Sequence, residues 1–122
     1  AIFVNWLTGS FMEIVPSNTH SVLQIFTVEA IFTFALVLVI LNVATNPKTE
    51  GNSYYGLAIG FTIMAAAFAG GDISGGAYNP AVGIGPGLAS LDNEVLSNLW
   101  YYLVGPIGGG VLATYVYGFI SD

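Results

Sequence analysis

The run from Ile25 to Ala44 carries a single charge, Glu29. About 20 residues at a rise of 1.5 Å cross roughly 30 Å, the hydrocarbon core of a bilayer. The β-branched residues between Ala30 and Val43 would suit a strand in water. In lipid, a run of this length satisfies its backbone hydrogen bonds only as a helix. A second apolar run, from Tyr54 to Gly70, is rich in Ala and Gly, residues that let membrane helices approach closely. A third, from Leu99 to Ile120, opens with Trp100-Tyr101-Tyr102 and carries Tyr115 and Tyr117 near its far end, which fits aromatic belts at both interfaces. Pro106 inside it is tolerated where neighbouring helices satisfy the freed backbone. The pattern predicts an all-α, multi-pass integral membrane protein with spans at about 22–45, 54–71 and 98–120.

The composition agrees. Hydrophobic residues make up 55% of the 122 and charged residues 7%, too few to cover a water-soluble body. Lys48 is the one basic side chain, so nucleic acid is excluded as a partner, because phosphate neutralisation needs several cations. Cysteine is absent and His20 is the lone histidine; no disulfide framework, metal site or cofactor is expected. The chain opens Ala1-Ile2-Phe3-Val4-Asn5 without Met and without a basic stretch before an apolar one. It reads as a piece whose N-terminal part is missing rather than one that starts with a signal peptide.

The connections differ in character. Asn46-Pro47-Lys48-Thr49-Glu50-Gly51-Asn52-Ser53 is a polar turn with a helix stop at Asn-Pro. Lys48 places it on the cytoplasmic side by the positive-inside rule. Residues 1–24 read as a loop leading into the first span. The stretch 71–90 is neither a polar loop nor a fourth span. It begins glycine-rich, Gly71-Asp72-Ile73-Ser74-Gly75-Gly76-Ala77-Tyr78, and continues Asn79-Pro80-Ala81, which reads as a helix start with Asn at the N-cap and Pro at the first helical position. Val82 to Ala89 continues, broken by Gly and by Pro86, before Leu91-Asp92-Asn93-Glu94 returns to water. A helix of about ten residues is about 15 Å long, half a bilayer.

The physical expectation is a re-entrant loop at about 72–90. A glycine-rich strand enters from one side and a half-helix leads back to the same side. Such backbone is permitted at membrane depth only where protein buries it or it lines a water-filled cavity. The half-helix N-terminus, with roughly +0.5 charge, would point at the midplane. The Asn79 amide would donate there, and the carbonyls of Gly75, Gly76, Ala77 and Tyr78 would form a polar ladder leading in.

Ser74-Gly75-Gly76-Ala77-Tyr78-Asn79-Pro80-Ala81, followed by Gly85-Pro86, resembles the second Asn-Pro-Ala loop of the aquaporin and aquaglyceroporin (major intrinsic protein) family. The flanks agree: Glu29-Ala-Ile-Phe-Thr-Phe, Gly56-Leu-Ala-Ile-Gly-Phe-Thr and Trp100-Tyr-Tyr-Leu-Val-Gly-Pro resemble the starts of the family's fourth, fifth and sixth helices. The resemblance covers residues 22–120. It implies one half of a six-helix bundle, with three transmembrane helices and one re-entrant half-helix. It further implies a missing N-terminal half that supplies a second Asn-Pro-Ala loop, a homotetramer in membrane lipid, and passive passage of water or small neutral solutes such as glycerol. On its own the chain would not conduct.

Three departures bear on selectivity. Most of the family has Arg directly after this second Asn-Pro-Ala; here the residue is Val82. The helix-five filter position falls on Ala67, often His in strict water channels, and the loop filter position on Gly76. Glycerol channels often place Asp where Gly83 stands. Ala67, Gly76 and Val82 together imply a wide, apolar constriction, favouring permeants larger than water and weakening the barrier to cations.

An acid within a span is a functional hypothesis by default. In the family the residue matching Glu29 resembles a brace that accepts hydrogen bonds from the loop amides, which a buried carboxylate needs. His20 and Asp72 read as solvated loop and mouth residues. Tyr78 either faces a permeant or packs behind the loop. Two other classes compete with a channel: a secondary transporter with a discontinuous helix, disfavoured because Glu29 is the only ionisable residue in a span, and a non-conducting membrane fragment. No nucleophile–base pair or metal set suggests an enzyme.

Overall fold

A computed structural model describes residues 1–121. Its elements are helices: α1 (Ile2–Thr8), α2 (Val22–Ile40), α3 (Tyr55–Ser74), α4 (Pro80–Ser90) and α5 (Asn93–Ile120). A π turn, Leu41–Thr45, prolongs α2, and a 3-10 turn spans Pro47–Thr49. Among the described residues, three helices are long and apolar enough to cross a membrane: Val22–Thr45, Tyr55–Ser74 and Asn93–Ile120. At 1.5 Å per residue they measure about 36, 30 and 42 Å. α4, with 11 residues, measures about 16 Å. The architecture is a partial aquaporin-like bundle of three spanning helices and one half-helix.

The ends of these helices follow from local chemistry. Ser21 caps α2 and forms a capping box with Gln24: the Ser21 hydroxyl accepts from the Gln24 N–H, and the Gln24 side chain accepts from the Ser21 N–H. Asp92 caps α5, accepting from the N–H groups of Glu94 (2.8 Å) and Val95 (3.2 Å). This cap starts α5 at Asn93, five residues before the expected span. α3 likewise runs past its expected end. Gly70, Gly71, Asp72, Ile73 and Ser74 stay helical, and the stop comes at Gly75, whose φ of 88° turns the chain left-handed. Helical geometry keeps the amides of this stretch bonded, those of buried Gly70 and Ser74 included, so the glycine-rich strand shrinks to residues 75–78. α4 is continuous through Pro86, not broken there; Pro86 merely offers no N–H to the Val82 carbonyl four residues back. Residues 1–24 are not all loop, because Ile2–Thr8 is helical and Gly9 closes it at φ 75°.

α2 packs on α5 and α3, and α4 packs on α5. The α2–α5 seam is built from small residues. Gly105, Gly109 and Ala113 are buried at four-residue spacing, the small-xxx-small pattern of close membrane crossings. A Cβ on Gly109 would run into the Ala30 carbonyl oxygen, and one on Gly105 would lie 2.8 Å from the Glu29 Cβ. At the other crossing, a Cβ on Gly83 of α4 would collide with the Cβ of Tyr102. Tyr102 is fully buried with Ile14, Ile25, Ala77 and Tyr101 around it, and its hydroxyl donates to the Ser74 carbonyl at 2.7 Å.

The spanning helices α2, α3 and α5 alternate in direction, so each connection between them belongs to one end of the bundle. Lys48 Nζ donates to the Ser121 carbonyl (3.0 Å) at one end. At the other, the Ser17 N–H donates to the Ile73 carbonyl (3.0 Å), so residues 14–17 cross the end of α3 beside the mouth of the re-entrant loop. Lys48 and that mouth therefore lie at opposite ends.

Candidate functional site

The loop of residues 75–79 turns back into the bundle, and Glu29 shows how far. The Glu29 carboxylate is fully buried. Its Oε1 accepts from the Ser74 hydroxyl (2.7 Å) and the Ala77 N–H (3.1 Å), and its Oε2 accepts from the Tyr78 N–H (2.7 Å). Four residues further along α2, the buried Thr33 hydroxyl donates to the Tyr78 carbonyl at 2.9 Å. Thr33 lies eleven residues past Val22, so the loop penetrates about 16 Å along a helix of about 36 Å. Midway down the bundle, every polar atom of the Tyr78 peptide thus has a partner on α2, as buried backbone requires.

This contact separates Tyr78 from the other three expected pore carbonyls. Its carbonyl takes the Thr33 hydroxyl on one of its two lone pairs. Gly75 and Gly76 are half-buried, at φ 88° and 71°, while Ala77 is buried. Gly75 is pressed from behind: a Cβ there would stand 2.9 Å from the Val15 carbonyl oxygen and 3.0 Å from the Tyr102 hydroxyl. Only glycine meets both the positive φ and that crowding.

α4 begins where the loop bottoms out. Asn79 is its N-cap in extended conformation, and Pro80 holds the first helical position. The Asn79 Oδ1 accepts from the Ala81 N–H at 2.9 Å. That bond identifies the side-chain oxygen, so the –NH2 group keeps both donors for the open side. Asn79, Ala81 and Val82 are exposed on this side, Val82 at 39%, and Ala67 of α3 is exposed too. A cavity of about 530 Å³ lined by Val43, Asn46, Pro47, Asn52 and Tyr55 lies at the opposite, Lys48 end and has no part in this arrangement.

Sequence reasoning missed Thr33, Tyr102 and residues 14–17. Thr33 had a signal: its four-residue spacing from Glu29 puts two polar groups on one face of an otherwise apolar helix. Tyr102 and the 14–17 crossing had none, because both act through contacts between distant segments. Among the described residues no group of His, Cys, Asp and Glu could hold a metal ion.

The family model described as major intrinsic protein matches residues 2–117. Nodulin-26 of Glycine max is 36% identical over 110 residues, covering 90% of this chain and 38% of that protein. A probable aquaporin of NIP type from Nicotiana alata is 40% identical over 113 residues, covering 93% and 40%. Aquaporin TIP2-3 of Arabidopsis thaliana is 43% identical over 91 residues, covering 74% and 35%. The chain thus spans well under half the length of these curated relatives. With a match along nearly its whole length, the chain belongs to the major intrinsic protein family of integral membrane proteins.

Proposed function

We propose that this chain forms the C-terminal half of a passive channel for water and small neutral solutes such as glycerol. In this reading an N-terminal half supplies three more helices and a second Asn-Pro-Ala loop, and four such channels assemble in lipid. The observation that carries it is the free amide of Asn79 at the N-terminus of α4, midway along the bundle. Two N–H donors and the positive end of a helix dipole sit there together. A water or alcohol oxygen accepts from Asn79 and is held one molecule at a time, while a cation meets positive potential and no compensating carboxylate. Glu29 is not available to it, being turned to the loop amides. The Gly75, Gly76 and Ala77 carbonyls supply acceptors along the approach, and Ala67, Gly76 and Val82 form the narrow point. None of those three side chains is polar or large, so the narrow point passes polyols as well as water and leaves cation exclusion to Asn79 and α4.

The test is flux through the full-length protein in lipid vesicles. Water, glycerol and urea permeabilities are measured for wild type and Val82→Arg by light scattering after an osmotic step. The arginine should lower glycerol and urea flux several-fold more than water flux. An unchanged solute-to-water ratio would sink the filter assignment, and no flux of any of the three above empty vesicles would sink the channel.

A further inference from the structure

We infer that Tyr78 sets the width of the constriction as a positioning residue, fixing Ala67 and Gly76 relative to each other without touching the permeant. The inference rests on the channel reading above and names a residue that reading leaves idle. Tyr78 is 3% exposed, which removes it from direct contact with a solute. Its side chain nevertheless reaches both filter positions. The hydroxyl donates to the Ala66 carbonyl at 2.8 Å, one covalent bond from the Ala67 nitrogen. The ring also lies directly behind Gly76: a Cβ built there would stand 3.5 Å from Tyr78 Cε2 and 3.6 Å from its hydroxyl. The α3 backbone also meets the loop there, a Cβ on Gly76 standing 3.4 Å from the Gly71 Cα, so the Tyr78 side chain fills the seam beside that contact, between the wall that bears Ala67 and the loop that bears Gly76.

The surroundings are shaped to hold that side chain in one pose. Phe32 meets the ring edge-on, with centroids 5.4 Å apart. Gly70 clears the space over which the side chain crosses α3: a Cβ there would come within 2.7 Å of the Tyr78 hydroxyl and 2.8 Å of Phe32 Cε2. Tyr78 itself sits at φ 48°, a left-handed conformation that is unfavourable for a bulky residue and persists only when its surroundings over-determine it. Packing alone would be met by phenylalanine. The hydroxyl adds a directional tie to one peptide of α3, which fixes a distance where packing only fills a volume.

The test uses the full-length protein in vesicles and compares Tyr78→Phe with Thr49→Val, which removes a hydroxyl bond (2.8 Å to the Asn42 carbonyl) at the opposite, Lys48 end of the bundle. Each variant is scored by folded yield and by its glycerol-to-water permeability ratio, a quantity independent of how many channels each vesicle holds. Tyr78→Phe should raise the ratio roughly twofold or more, because the loop is released from the wall, while Thr49→Val leaves the ratio near wild type. A wild-type ratio in Tyr78→Phe, or equal shifts in both variants, overturns the inference while leaving the channel intact. A wild-type protein that passes neither solute overturns the channel reading itself. If Tyr78→Phe does not accumulate, Tyr78→Met fills the space without a donor and is judged by the same ratio.

Discussion

Replacing Glu29 by glutamine changes one atom and should cost the loop one of its anchors. The carboxylate accepts from three donors: the Ser74 hydroxyl, the Ala77 N–H and the Tyr78 N–H. A glutamine has one accepting oxygen and one donating nitrogen. If its oxygen faces Ser74 and Ala77, its –NH2 faces the Tyr78 N–H. If it flips, the –NH2 faces the Ala77 N–H, while the Ser74 hydroxyl can turn to the Gly70 carbonyl at 3.4 Å. Either way one buried amide is left without an acceptor. An unsatisfied buried donor costs about 1–3 kcal/mol. At about 2–4 °C per kcal/mol for a chain of roughly 150–250 residues, the apparent melting temperature falls by roughly 2–12 °C. Glu29→Ala orphans both amides and should cost about 2–6 kcal/mol, a large part of a total stability of about 5–15 kcal/mol. The assay is thermal unfolding of purified full-length protein in detergent, paired with water flux in vesicles. Wild-type melting and wild-type flux in Glu29→Gln would refute the claim that this carboxylate holds the loop.

Other expectations follow from the same geometry. Asn79→Asp keeps the oxygen that accepts from the Ala81 N–H but replaces the free donors with negative charge; folding should survive while proton and sodium leak rises, read with a pH-sensitive dye and a sodium electrode. Gly109→Ala drives a methyl into the Ala30 carbonyl, and forced overpacking costs about 1–3 kcal/mol or more; a large loss of folded protein in size-exclusion chromatography is the expected result. Ser21→Ala removes the hydroxyl half of the α2 capping box and leaves the bond from the Ser21 N–H to the Gln24 side chain; it should lower stability by about 0.5–2 kcal/mol without altering the glycerol-to-water ratio.

The fold was legible where lipid leaves the chain few choices. Ile25 to Ala44 has one outcome in a bilayer, and Asn79-Pro80 carries its own instructions for starting a helix. Boundaries were less legible where glycine is ambiguous: Gly70-Gly71 reads as a break on propensity, yet both are helical, and position 70 is glycine because Val28, Phe32 and Tyr78 leave no room for a side chain there. The start of α5 at Asn93 was legible in principle from Asp92, but the polar run Leu91-Asp92-Asn93-Glu94 masked it as a loop. At the site, the residues to watch could be named, whereas their partners could not. That the Tyr78 carbonyl accepts from Thr33 is a fact of three-dimensional register with no local signature.

The closeness of Gly105 to Glu29 ties together two positions 76 residues apart, since a Cβ on the glycine would sit 2.8 Å from the Glu29 Cβ. In genetic terms the two behave as one locus. Any side chain at 105 displaces the backbone of α2 at the point where the carboxylate is launched toward the loop. Its phenotype should then resemble an allele of Glu29 more than an allele of its own helix. Second-site suppressors of Gly105→Ala would accordingly be sought on α2 and in the loop of residues 75–79, not among the neighbours of Gly105 on α5.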